Sequence, residues 1–351
     1  MAPTLQLGID SFVSTVTDRS SGQEVSPVDR MAHLLEEIEL ADEVGLDSFG
    51  VGEHHRSEFY DSAPPVILAA AAARTKRIRL TSAVTVLSAA DPVRVYQEFA
   101  TLDLISGGRA EIVAGRGSFT EAFPLFGLAL ADYDSLYSEK LDLLLAIRDN
   151  PTVNWSGRHR PPLTGQGVYP RSVQTPLPIW VGVGGTPESF VRAGVLGLPL
   201  MVAIIGGDSR QVRPLIDLYR EAGRRAGHSA DQLKVGVHVP GLIGETDAEA
   251  ADAWFPGWAK MFNSIGRERG FRPLTREAFD VARGPDGAMF VGDADTVGDK
   301  ITSMSDALGG LSRVTLQMTN QGLSHKELLR GIELLGTRVA PIVRGTGAPE
   351  D

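Results

Sequence analysis

Four short segments put chemically able groups where an apolar, strand-like run gives way to a loop. They are Gly52-Glu53-His54-His55 after SFGV, Ser82-Ala83-Val84-Thr85 within RLTSAVTVL, Gly115-Arg116-Gly117-Ser118 after AEIVA, and Gly184-Gly185-Thr186 after PIWVGV. Imidazole exchanges protons near neutral pH, so His54 is the candidate catalytic acid or base. A packed or solvent-facing pair is the plainer account of His54 and His55. Glu53, His54 and His55 are also metal-ligand types. Neighbouring side chains on an extended strand diverge, however, and no third ligand motif accompanies them, so no metal is expected.

Arg116 lies between two glycines that let the backbone approach a ligand closely, and its guanidinium is a fork for phosphate oxygens. A turn with a solvated Arg has the same local sequence. Gly184-Gly185-Thr186-Pro187 combines a strand end, two glycines, a Thr cap and Pro at the first helical position. That arrangement exposes backbone N–H groups with a helix dipole behind them, a ready anion site, though a well-capped helix and nothing more would read alike. Gly206-Gly207-Asp208-Ser209, after LMVAII, repeats the design one strand later. Two glycine-rich strand ends facing one cleft point to a phosphate-bearing cofactor.

Groups this far apart in sequence meet only if the chain carries its strand ends to one side, as an α/β barrel does. Short β-branched runs alternate with longer helical periods, the pattern of a parallel sheet with crossover helices. Strands are expected at 5–9, 48–51, 78–87, 110–114, 179–183, 200–205, 233–239 and 313–318. Helices are expected over 28–44, 65–74, 135–147, 211–226, 248–265 and 327–339, and from Asp91-Pro92 and Pro187, where a cap residue precedes Pro at the first helical position. Eight βα units in ~250 residues plus insertions are the size of a (β/α)8 TIM barrel. A doubly wound dinucleotide fold would show its glycine fingerprint after strand one, and none is there. The expected organisation is therefore a single domain over 1–351 with insertions near 119–133, 150–178 and 266–292. The third carries Arg267, Arg269, Arg272, Arg276 and Arg283, which suit either a solvated loop or an anionic partner.

Composition narrows the function classes. The chain has 351 residues, 42% of them hydrophobic, enough for a large core. Its 34 basic and 44 acidic residues give a formal charge of -10, which argues against nucleic-acid and anionic-membrane partners. With no cysteine there is no disulfide framework, thiolate metal site or Cys nucleophile. No apolar run approaches the roughly 18 residues that span a bilayer, and no signal-peptide pattern opens the chain. A cytoplasmic enzyme is expected.

The segments Gly-Glu-His-His-Arg-Ser-Glu-Phe, Thr-Ser-Ala-Val-Thr-Val-Leu with the following Asp91-Pro92-Val93-Arg94-Val95-Tyr96-Gln97-Glu98, Ile105-Ser106-Gly107-Gly108-Arg109 and Ala114-Gly115-Arg116-Gly117, in this order, resemble the bacterial luciferase-like monooxygenases. These are a flavin-dependent TIM-barrel superfamily, and the likeness runs over nearly the whole chain. The resemblance implies that His54 lies by the flavin and assists proton transfer. It implies that Ala83-Val84 passes beside the flavin ring, often with a non-prolyl cis peptide, and that Arg116 with Gly117 contacts the flavin phosphate. Where the luciferase uses a Glu-Ser pair and a Thr for that phosphate, this chain has Gly184, Gly185 and Thr186, with Gly206 and Gly207 nearby. The implied reaction is a monooxygenation using reduced FMN and O2 on a small organic substrate, with electrons supplied directly or by a separate NAD(P)H:flavin reductase. The alternatives are an F420-dependent hydride transfer on the same fold and a flavin-binding protein without turnover. The resemblance further implies a homodimer through the second and third helices. Phe12, Phe119, Phe123 and Tyr133 are either pocket lining or ordinary core.

Overall fold

The computed structural model describes residues 4–19, 21–270 and 272–345, without the side chain of Arg269. Eight parallel strands form a closed barrel: β1 (Gln6–Ser11), β2 (Ser48–Val51), β3 (Arg79–Ser82), β4 (Ala110–Gly115), β5 (Ile179–Val183), β6 (Leu200–Ala203), β7 (Val235–Ile243) and β8 (Arg313–Gln317). Each pairs with the next, and β8 returns to β1 with Leu7 opposite Val314 and Ile9 opposite Leu316. Nearly every residue of these strands is buried because helices cover the outside and side chains fill the inside, which is why they read as continuous apolar runs.

The crossover helices are α1 (Pro27–Glu43), α2 (Pro64–Ala72), α3 (Pro92–Ser106), α4 (Tyr133–Asp149), α5 (Pro187–Val195), α6 (Arg213–Arg225), α7 (Asp247–Arg269), α8 (Ala294–Ala307) and α9 (His325–Leu334). Their starts follow local chemistry. Asp91 accepts from the N–H groups of Val93 and Arg94 at the head of α3, and Ser324 with Glu327 forms a capping box at the head of α9. Among the described residues no helix is long and apolar enough to cross a membrane.

Three local expectations change. The strand expected over 78–87 is two pieces, Arg79–Ser82 and Thr85–Val86, separated by Ala83-Val84. The excursion at 150–178 contains an antiparallel hairpin, Thr152–Trp155 with Leu163–Gly167. The stretch from 266 begins as the last turn of α7, which runs past Gly266 and ends where Gly270 takes the left-handed conformation that suits glycine. That stretch then forms a short helix, Arg276–Ala282, and a short strand, Phe290–Gly292, paired to β7.

The barrel interior is unusually polar at the amino-terminal end of its strands. Arg313 of β8 reaches across to Glu111 of β4 with bonds of 2.7 and 3.2 Å, and both side chains are at most 4% exposed. Gln6 accepts from the same guanidinium, Arg79 lies 3.2 Å from Glu111, and the Trp180 ring lies under Arg313 at 4.6 Å. Burial alone would raise the Glu111 carboxyl, but the Arg313 charge and hydrogen bonds outweigh it and hold it below its usual value. A group lowered in this way stabilises the fold above its unfolded pKa of 4.5, and that contribution is lost as pH falls through the folded value. Arg313→Met should cost about 3–5 kcal/mol in denaturant unfolding, because it removes the buried partner and leaves the Glu111 carboxylate only the more exposed Arg79. The double variant Arg313→Met, Glu111→Leu should recover most of that loss and should lose less stability in acid than the wild type, since it has no lowered carboxyl at this position to protonate.

Candidate functional site

The turn after β2 is shaped by crowding. A Cβ on Gly52 would lie 2.6 Å from the Asp61 carboxylate, 2.8 Å from Phe12 and 3.1 Å from His54, so only glycine lets these three close in. Asp61 has no exposed surface; it accepts from the His54 backbone N–H at 3.1 Å and pairs with Nδ1 at 2.8 Å. Burial pushes the Asp61 carboxyl up, and the bond from His54 draws it partly back. A carboxylate can only accept, so Nδ1 carries the proton and Nε2 is the nitrogen left for proton exchange. Phe59 stacks on the imidazole at 4.4 Å, while Phe12 and Phe119 meet it edge-on at 4.8 and 5.5 Å.

His55 diverges from its neighbour. Its Nε2 lies 3.2 Å from Glu53, and its ring meets Phe126 edge-on at 5.2 Å. The other Glu53 oxygen accepts from the Val86 N–H at 2.8 Å and so ties the β2 turn to the end of the third strand. Among the described residues no cluster of three or more His, Asp or Glu has the arrangement of metal ligands.

Ala83-Val84 is a non-prolyl cis peptide. The Val84 side chain fits between the ends of β4 and β5, where a Cβ on Gly115 would lie 2.4 Å and one on Gly182 2.8 Å from its methyl groups. Arg116 follows β4 and joins two strand ends directly. Its Nη2 donates to Thr186 Oγ1 at 3.1 Å, Nη1 meets the exposed Asp134 at 2.6 Å, and the Tyr133 ring lies 5.2 Å away. Thr186 therefore occupies the N-cap position of α5 without capping it, because its hydroxyl faces Arg116 instead. The glycines divide into two kinds. Gly184, Gly185, Gly206 and Gly207 have open space where a Cβ would be, whereas Gly117, at φ +79°, faces Val86 at 2.9 Å. Asp208 caps the short turn Ser209–Val212 after β6.

The candidate aromatics split in the same way. Phe12 and Phe119 flank His54, while Phe123 is buried against Tyr133, whose hydroxyl donates to the Gly117 carbonyl at 2.7 Å. Of the arginines in the third insertion, Arg276 pairs with Asp252 and Asp280, and Arg283 pairs with Asp280. Sequence reasoning missed Asp61, Arg56 and a second buried imidazole. His238 of β7 pairs through Nδ1 with Asp10 of β1 at 2.6 Å, Thr315 donates to the same carboxylate oxygen, and Phe12 lies between the two histidines, stacked on His238 at 5.6 Å and edge-on to His54. The available signal was a polar residue inside each apolar strand, His in VGVHVPG and Asp in LGIDS.

This arrangement of His54, the Ala83-Val84 peptide and Arg116 on one barrel rim is accompanied by a family-model match over residues 9–309, for the luciferase-like monooxygenases. The chain belongs to that family. The 4-hydroxyprotoasukamycin monooxygenase of Streptomyces nodosus subsp. asukaensis is 27% identical to it over 330 residues, which cover 89% of this chain and 86% of the relative. The F420-dependent glucose-6-phosphate dehydrogenase of Amycolatopsis mediterranei (strain U-32) is 29% identical over 175 residues, covering 48% of this chain and 51% of the relative. A solved structure, the oxygenating constituent of 3,6-diketocamphane monooxygenase from Pseudomonas putida in complex with FMN, shares the fold with a TM-score of 0.74 at 20% identity over the whole of both chains.

Asp61→Asn in this luciferase-like chain should lower stability by about 1–3 kcal/mol, since it disturbs a buried acceptor. Nitrogen-15 NMR of the His54 ring should show loss of the fixed Nδ1–H tautomer; an unchanged tautomer would contradict the pairing.

Proposed function

We propose that the chain is a flavin-dependent monooxygenase acting with reduced FMN and O2 on a small organic substrate. The observation that carries this reading is the Arg116–Thr186 hydrogen bond beside the open backbone of Gly184 and Gly185, on the rim that also holds His54. These residues fit a flavin phosphate. Arg116 and Thr186 supply side-chain donors, Gly184 and Gly185 leave N–H groups accessible at the head of α5, and the exposed Asp134 is a partner that a phosphate displaces. Gly206 and Gly207 offer a second open stretch one strand on. Ala83 and Val84 would form the wall against the ring.

Reduced flavin, when bound, supplies the electrons and the oxygen activation. The chain supplies the rest. Asp61 holds the Nδ1 proton, so that His54 can give or take a proton at Nε2. Phe12, Phe59 and Phe119 keep water from that nitrogen and present an apolar surface to the substrate. A separate NAD(P)H:flavin reductase is the proposed electron source. The proposed homodimer uses α2 and α3, whose Val66, Leu104 and Ile105 are 71%, 49% and 54% exposed.

The F420-dependent relative keeps a hydride-transfer reading open. Titration with FMN and with F420, followed by fluorescence, separates the two. Arg116→Ala should weaken FMN binding about 10–100-fold, the value of a hydrogen bond to a charged group. His54→Ala should bind FMN normally and lower substrate-dependent oxygen consumption by about 100-fold. Unchanged FMN affinity in Arg116→Ala, or tight binding of F420 alone, would overturn the proposal.

A further inference from the structure

We infer that Arg56 is a positioning latch: it clasps Phe119 over His54 and makes the segment following Arg116 a removable cover on that imidazole. The inference rests on the reading of His54 as the proton-exchanging residue, but its test needs no cofactor. Arg56 lies two residues beyond His54, and its guanidinium gathers carboxylates from three segments. Within its own turn it meets Glu58, with Nε and Nη2 at 3.4 and 3.0 Å. From the segment after β4 it meets Glu121 at 2.8 Å, and from the last turn of α7 it meets both oxygens of Glu268 at 2.7 and 3.0 Å. The face of the same guanidinium lies 4.9 Å from the Phe119 ring, which reaches His54 at 5.5 Å and Phe59 at 6.0 Å.

Two features make this a latch and not part of the core. The carboxylates are 32%, 37% and 49% exposed for Glu58, Glu121 and Glu268, so these ion pairs stay in partial contact with water and are weakened by salt. The cover is also buried at one end and partly exposed at the other. Phe123 is buried and stacked on Tyr133, whereas the stretch before it has Ser118 and Thr120 exposed on either side of a half-buried Phe119. Arg56 joins this stretch to the β2 turn and to the end of α7, reinforcing the ring contacts of Phe119 with His54 and Phe59. Releasing it would open the imidazole to water and widen the space beside it, so the strength of the clasp bears on substrate size and on leakage of reducing equivalents.

Chymotrypsin reads the latch directly in the full chain without ligand. Cleavage after Phe119 in the native protein should rise at least ~5-fold between 0.05 and 0.5 M NaCl, because the screening length falls over that range. Cleavage after Leu196, 40% exposed at the end of α5 and followed by Gly197, serves as the reference site. Arg56→Met should cleave after Phe119 about 10-fold faster than wild type at low salt and lose the salt dependence, with the thermal midpoint nearly unchanged. Arg56→Lys should restore part of the protection, since an ammonium keeps the charge but not the fork. The pair Glu121→Gln with Glu268→Gln reaches the same contact from the other side and should behave like Arg56→Met even if that variant folds poorly. Protection that is equal in all these variants, or insensitive to salt in wild type, would overturn the latch. Loss of FMN binding alongside intact salt-dependent protection would overturn the flavin reading and leave the latch standing.

Discussion

Closure of the parallel ladder between β8 and β1 is the constraint on which the molecule depends. Once Leu7 and Ile9 pair with Val314 and Leu316, the eight-stranded ring has no open edge and its strands all point the same way. All the strand ends then lie on one rim. Segments separated by more than a hundred residues can share hydrogen bonds there, as Asp10 and His238 do across 228 positions. A sheet left open at this seam would scatter the same side chains along an edge.

The interior of that ring must hold polar groups without leaving them unpaired. At the amino-terminal end the chain uses an ion pair, Arg313 with Glu111, fixed between Gln6, Arg79 and the Trp180 ring. Toward the opposite rim it uses carboxylate–imidazole pairs, Asp10 with His238 and Asp61 with His54, separated by the Phe12 ring. The chemical difference matters. An Arg–carboxylate pair stays charged throughout the neutral range, which suits a structural strut, while an imidazole can change its protonation near neutrality. Glycine makes the second arrangement possible. Asp61, His54 and Phe12 converge on a point where any side chain on Gly52 would intrude.

Much of the scaffold was legible because its signals are local. The strands at 48–51 and 179–183 match the expected limits, and Asp91-Pro92 starts a helix as its cap chemistry requires. Errors arose where tertiary packing overrode local preference. The β-branched run RLTSAVTVL reads as one strand, yet it breaks at Ala83-Val84 as Val84 enters the space left by Gly115 and Gly182. Thr186 looks like an N-cap, but its hydroxyl answers to Arg116, 70 residues away. Gly117 and Gly184 look alike in sequence, and only their surroundings distinguish a packed glycine from an open one.

Residue types and their periodicity were enough to establish the barrel class, the order of the motifs and the resemblance to the luciferase-like family. These depend on spacing along the chain and on which faces are apolar. The identities of the partners were a different matter. That Asp61 orients His54, that Asp10 holds His238, and that Arg56 gathers Glu58, Glu121 and Glu268 are facts about distance in three dimensions. An Asp or an Arg in a loop carries no mark of the group it will meet. Such pairings follow only when barrel closure sets the separation between strand ends, since charge and hydrogen-bond energies act over a few ångströms of space and are blind to sequence separation.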